Sequence, residues 1–223
     1  MPGVYVLAAI GLAALIAFGV WCRAKRRKEL AAWASRKGLT FRPERDSGFD
    51  ERYPAFGCLR RGYGRFASSI AEGDWNGRRV TAFDYRYVTG SGKNRQTHHF
   101  SAMILRSNVP LKPLRIRSEN VFDRVTEFFG LDDIDFESAE FSREFHVKAA
   151  DKRWAYDVLH QRTMEFLLSM PRFSIEFDDR HVIAWRNRRF NVETFESAIV
   201  AAEGILDRMP EYVVRQQGGK KPG

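Results

Sequence analysis

Residues 65–88 read RFASSIAEGDWNGRRVTAFDYRYV, and the alternation within them decides the fold. Asn76 and Gly77 stand between two extended runs, a strong hairpin signal because both residues accept the positive φ that a tight two-residue turn demands. Beyond the turn, Thr81, Phe83, Tyr85 and Tyr87 fall on one face of a strand, and Val80, Ala82, Asp84 and Arg86 on the other. Residues 98–106 repeat the pattern, with His98, Phe100, Ala102 and Ile104 set against His99, Ser101, Met103 and Leu105. Three antiparallel strands are therefore expected, each with a distinct pair of faces.

Working outward, residues 114–117 predict a further strand. Ser118 then caps a helix striped by Val121, Phe122, Val125, Phe128 and Phe129, and Gly130 stops it. A strand is expected at 141–148. A helix is expected at 151–170, where the apolar stripe is irregular and Pro171 ends the run. Phe173, Ile175 and Phe177 alternate, turn at 178–180, and return through Ile183 and Trp185 as a second hairpin. Asn191 caps a last helix whose apolar face runs from Phe195 to Met209, with Pro210 as its stop. Strand groups interspersed with helices, without regular βαβ units, predict an α+β fold: one soluble domain at residues 39–212 with helices packed on antiparallel sheet. Two similar halves divided near residue 130 are the alternative. Residues 39–64, rich in Arg, Gly and Pro, read as an irregular entry segment, and residues 213–223 as a disordered tail.

Toward the N-terminus, residues 4–22 read VYVLAAIGLAALIAFGVWC, nineteen positions without a charge. A helix of that length rises roughly 28 Å, close to the hydrocarbon thickness of a bilayer. Arg23, Lys25, Arg26, Arg27 and Lys28 follow at once, and no cation precedes the run. Positive charge is retained on the cytoplasmic side. This stretch therefore predicts a transmembrane helix, single-pass in the inner membrane, with the N-terminus outside and the domain cytoplasmic. The five cations are expected to contact the membrane surface from a basic juxtamembrane helix at 23–38, capped by Gly38.

The chain carries 37 Lys and Arg against 28 Asp and Glu, a formal charge of +9, but residues 29–223 hold 32 of those cations and all the acids. Their net charge of +4 makes nucleic acid an unlikely partner. The two cysteines, Cys22 and Cys58, form no disulfide framework and no zinc spacing.

Catalytic signatures are sparse. Gly90, Gly92 and Lys93, with His98 beyond them, make a candidate ligand loop. A phosphate-binding loop of the Walker type, however, needs glycine where Tyr87 stands and Ser or Thr where Asn94 stands. His98 and His99, adjacent on a strand, point to opposite faces and cannot chelate one metal. The acidic run Asp132, Asp133, Asp135 and Glu137 lacks the glycine and distal glutamate of a calcium loop. No catalytic residue, metal site or cofactor follows from these patterns.

The strings FDYRYVTGSGKN (83–94), DIDF (133–136) and FSREF (141–145), with the apolar run in front, resemble a family of uncharacterised bacterial single-pass membrane proteins whose soluble domain has no assigned activity. The resemblance spans most of residues 56–190. It implies a bacterial inner-membrane setting and carries no catalytic residue across. The function expected is a membrane-anchored, non-enzymatic interaction module that docks a protein partner or anionic lipid. The alternative is a membrane-tethered enzyme acting on a phosphorylated or nucleotide substrate, with Lys93 and His98 near Asp84.

Overall fold

Asn76 (φ 52°) and Gly77 (φ 77°) both adopt the left-handed conformation, which matches the turn's twist to that of the strands it joins. The computed structural model, which describes residues 2–118 and 131–218, places them between β2 (Tyr63–Trp75) and β3 (Arg78–Thr89), with Trp75 opposite Arg78. β4 (Gln96–Arg106) completes the meander, and its register sets Asp84 opposite Ser101 and Tyr87 opposite His98. β1 (Thr40–Arg42) flanks β2 on the outer edge.

The second half contributes β5 (Leu114–Ser118), β6 (Asp132–Ile134), β7 (Phe145–Ala149), β8 (Ser174–Phe177) and β9 (His181–Arg186). Among the described residues, nine strands form one antiparallel sheet, ordered β1-β2-β3-β4-β9-β8-β5-β7-β6. β9 pairs with β4 through Ser101–Arg186 to Arg106–His181, so the two halves share a continuous sheet.

The helices are α1 (Pro2–Arg36), α2 (Ala139–Glu144), α3 (Lys152–Val158), α4 (Gln161–Ser169), α5 (Val192–Asp207) and α6 (Glu211–Gly218). One sheet face packs Val80, Ala82, Met103, Leu105 and Ala184 against α1 and α5. The other packs Phe83, Tyr85, Phe100 and Trp185 under Phe49, Phe56 and Leu59 of the entry segment.

Several expectations are corrected. Among the described residues, no helix is long and apolar enough to cross a membrane, which overturns the transmembrane helix at 4–22 and the single-pass reading built on it. One unbroken α1 carries the apolar turns, then Arg23, Lys25, Arg26, Arg27, Lys28 and Glu29, and its last turns are buried in the domain. Trp33, 1% exposed, stacks on Phe195 at 5.8 Å and donates its Nε1–H to Glu196 at 3.0 Å.

Residues 141–144 are helical in α2, capped by the Ser138 hydroxyl, and only 145–149 form the expected strand. The irregular stripe at 151–170 reflects a break between α3 and α4. The tail is helical as far as Gly218, where α6 buries Val213. The helix expected after Ser118 lies outside the described residues.

Candidate functional site

The α1-facing side of β3 and β4 carries a polar knot. Asp84, 8% exposed, accepts a hydrogen bond from Arg26 Nη2 at 2.8 Å and another from the Ser101 hydroxyl. Arg26 Nη2 also reaches the Phe190 carbonyl at 2.7 Å, and Phe190 N–H donates to Ser101 Oγ at 2.9 Å. Ser101 N–H donates to the Arg188 carbonyl at 3.0 Å. α1, the meander and the 187–191 connection are therefore tied at one point.

Burial dominates the electrostatics there. It raises the Asp84 carboxyl above its ordinary value against the pull of Arg26 and Ser101, and it lowers the Arg26 guanidinium despite Asp84. Both partners move toward their neutral forms, so desolvation outweighs their attraction. Arg26 Nη1 is buried with no hydrogen-bond partner among the described residues.

Above the knot lies a cleft of about 400 Å³ between α1 and the start of α5, lined by Trp21, Lys25, Arg26, Arg189 and Val192, with Glu29 as its acid. Lys25 sits over the Trp21 ring, 5.5 Å from its centroid. Arg189 Nη2 is 3.4 Å from His99 Nδ1. Burial lowers the His99 pKa, and the charges of Arg189 and Arg86 lower it further. Asn191, at the cleft mouth, caps α5 by accepting from Thr194 N–H at 2.9 Å.

The predicted site residues are dispersed. Of the five cations expected at a membrane surface, Arg26 turns inward to Asp84, while Arg23 bonds the Gly19 carbonyl within its own helix at 3.1 Å. Lys25 lines the cleft, and Arg27 and Lys28 are exposed.

In the candidate ligand loop, Gly90 (φ 69°) sits where a Cβ would meet the Asn94 carbonyl oxygen at 2.2 Å. Its freedom is used by the turn itself. Gly92 and exposed Lys93 belong to a single 3₁₀ turn. His98 stacks on Tyr87 at 4.7 Å, and its Nε2 is 2.7 Å from Thr89 Oγ1. That is the opposite sheet face from Asp84, so Lys93, His98 and Asp84 do not converge.

Asp132 and Asp133 pair with Lys152 and Lys148. Cys58 is fully buried and its thiol is pushed well up by that burial, which leaves it protonated. Among the described residues, no group of three or more His, Cys, Asp or Glu side chains could hold a metal ion. Sequence reasoning missed Ser101 and Arg189, and weighed His99 only as a metal ligand. The basic run Arg186-Asn187-Arg188-Arg189, one residue short of the capping Asn191, was the available signal.

No family model matches the chain, and no curated protein does. A solved structure shares its fold. This is the crystal structure of the mycobacterial trehalose monomycolate transport factor A, TtfA, with a TM-score of 0.63 over 81% of this chain and 92% of that chain. At 11% identity the likeness shows the fold alone.

Proposed function

We propose that this chain is a non-enzymatic interaction module that docks a protein partner. The observation carrying this reading is the division of labour at the cleft. The buried polar groups Asp84, Arg26 and Ser101 are used in joining three segments of the fold. The rim offers Lys25, Arg189, Trp21 and Val192, with Cys22 and Glu29 beside them, a mix of cationic and aromatic side chains suited to contact with a partner. An enzyme acting on a phosphorylated or nucleotide substrate has weaker support, because Lys93 sits in an exposed turn while His98 and Asp84 lie on opposite faces of the sheet.

The test is crosslinking in cells, followed by affinity purification of the full-length chain and quantitative mass spectrometry against the affinity tag alone. A near-stoichiometric protein enriched over that control is the expected outcome. If none is enriched and nucleotides or phosphorylated metabolites raise the thermal midpoint, the docking reading gives way to the enzymatic one.

A further inference from the structure

The geometry points to an acidic, partly apolar protein segment as the occupant of the cleft between α1 and residues 189–192. This inference rests on the docking reading and names the chemistry of the partner.

Charge is the first argument. Among the described residues Arg189 makes no salt bridge: it meets the His99 ring and feels the Asp84 carboxylate only at longer range, and Lys25 lies over the Trp21 ring. The Asp84 carboxylate just below is taken up by Arg26 and Ser101. With Arg26 balanced by Asp84, Glu29 is the lining's own acid against Lys25 and Arg189. The cleft is therefore left with excess positive charge, which an incoming carboxylate would neutralise.

Pre-organisation is the second. The backbone on either side of Arg189 is pinned to Ser101, through the Arg188 carbonyl and the Phe190 N–H. Lys25 is held on a helix whose inner turn is anchored by Arg26. The two cations face a common volume and need little ordering when a ligand arrives.

The third argument is the surface that continues from the cleft. Leu15, Phe18 and Trp21 are 70%, 63% and 58% exposed along α1, and Phe18 stacks on Trp21 at 6.1 Å. A contiguous apolar ridge of this kind marks a macromolecular contact. A small anion would use the cations and leave the ridge bare. A peptide carrying carboxylates beside leucine-like side chains uses both.

The experiment takes the full-length chain and a short fluorescein-labelled peptide of glutamate, leucine and alanine, followed by fluorescence anisotropy. Its glutamine-for-glutamate counterpart serves as control. The acidic peptide is expected to bind and the glutamine peptide to bind at least about tenfold more weakly. Lys25→Ala with Arg189→Ala should weaken the acidic peptide by about tenfold, and Arg27→Ala with Lys28→Ala, the same loss of charge outside the cleft, by less than about twofold. The inference is overturned by equal losses in the two double variants, or by equal binding of the two peptides. It is also overturned if phosphatidylglycerol vesicles bind through Lys25 and Arg189 and block the peptide, which would make lipid the occupant.

A photo-crosslinking residue placed in cells at Val192, in the cleft, or at exposed Val200, on α5, separates this inference from the reading beneath it. The partner should be captured from Val192. Capture from Val200 alone overturns the cleft and leaves docking intact, whereas capture from neither position, with none enriched by affinity purification, overturns both.

Discussion

Asp84 is the residue on which sheet, helix and turn converge, and its energetics follow from where it sits. Its carboxylate is nearly buried and faces a guanidinium that keeps about a fifth of its side chain exposed, at 21%. Removing one partner leaves the other charge in a poor solvent, at a cost of 3–5 kcal/mol for buried pairs; the partial exposure of Arg26 places Asp84→Ala near about 3 kcal/mol. Replacing both residues together, Asp84→Leu with Arg26→Met, is expected to be neutral or stabilising, because both desolvation penalties vanish. Urea denaturation of the single and double variants checks this. A double variant as damaged as the single one would show that the pair contributes net attraction. The knot therefore serves to fix where α1 lies more than to add stability.

Among the elements, the β8–β9 hairpin has the clearest pH signature. Asp178 closes its turn. Burial raises its carboxyl, but hydrogen bonds from the His181 ring and from the backbone N–H of Arg180 and His181 outweigh that, and the net pKa lies below its ordinary 3.8. A carboxyl lowered on folding adds stability above its unfolded pKa and loses it as pH falls through the folded one. The loss therefore falls on the acid side, setting in as pH drops through the ordinary 3.8 and completing below it. Asp178→Asn is expected to lower stability at neutral pH and to flatten that acid decline. Chemical denaturation across the range checks it, and an unchanged slope would count against the assignment. Asp84 has the opposite linkage. Its raised pKa makes its contribution less favourable as pH climbs above 3.8.

At the scale of the whole molecule, the last turns of α1 are part of the domain's core. Leu30, Trp33 and Ala34 are buried with Phe195 and Ala198 in the larger core, and Trp75 packs against the same cluster. Trp33→Ala is expected to cost about 3–5 kcal/mol, the range for a fully buried aromatic. A chain starting at residue 39 should melt far below one starting at residue 23, as read by circular dichroism. Equal midpoints would mean that the α1 contacts add nothing. The boundary expected near residue 38 separates regions by composition, whereas the core crosses it.

Much of this architecture was legible in the chain because it is local. The Asn76-Gly77 turn, the two faces of β3 and β4, the Asp178 hairpin and the Asn191 cap each depend on residues a few positions apart, so period and turn chemistry determine them. The helical run through residues 23–38 was legible too, but no local pattern could tell that its last turns bury Trp33 against Phe195. Other features came only with the tertiary structure. β9 joins β4 across some eighty residues, Arg26 finds Asp84, and Arg189 meets His99, each separated too far in sequence for any periodicity to link them. The sequence by itself determined the strands, their turns and which side chains share a face, because those follow from backbone geometry. Only the fold decided which faces meet, and so where a cleft forms, because long-range pairing depends on burying surfaces together and no local pattern encodes that choice.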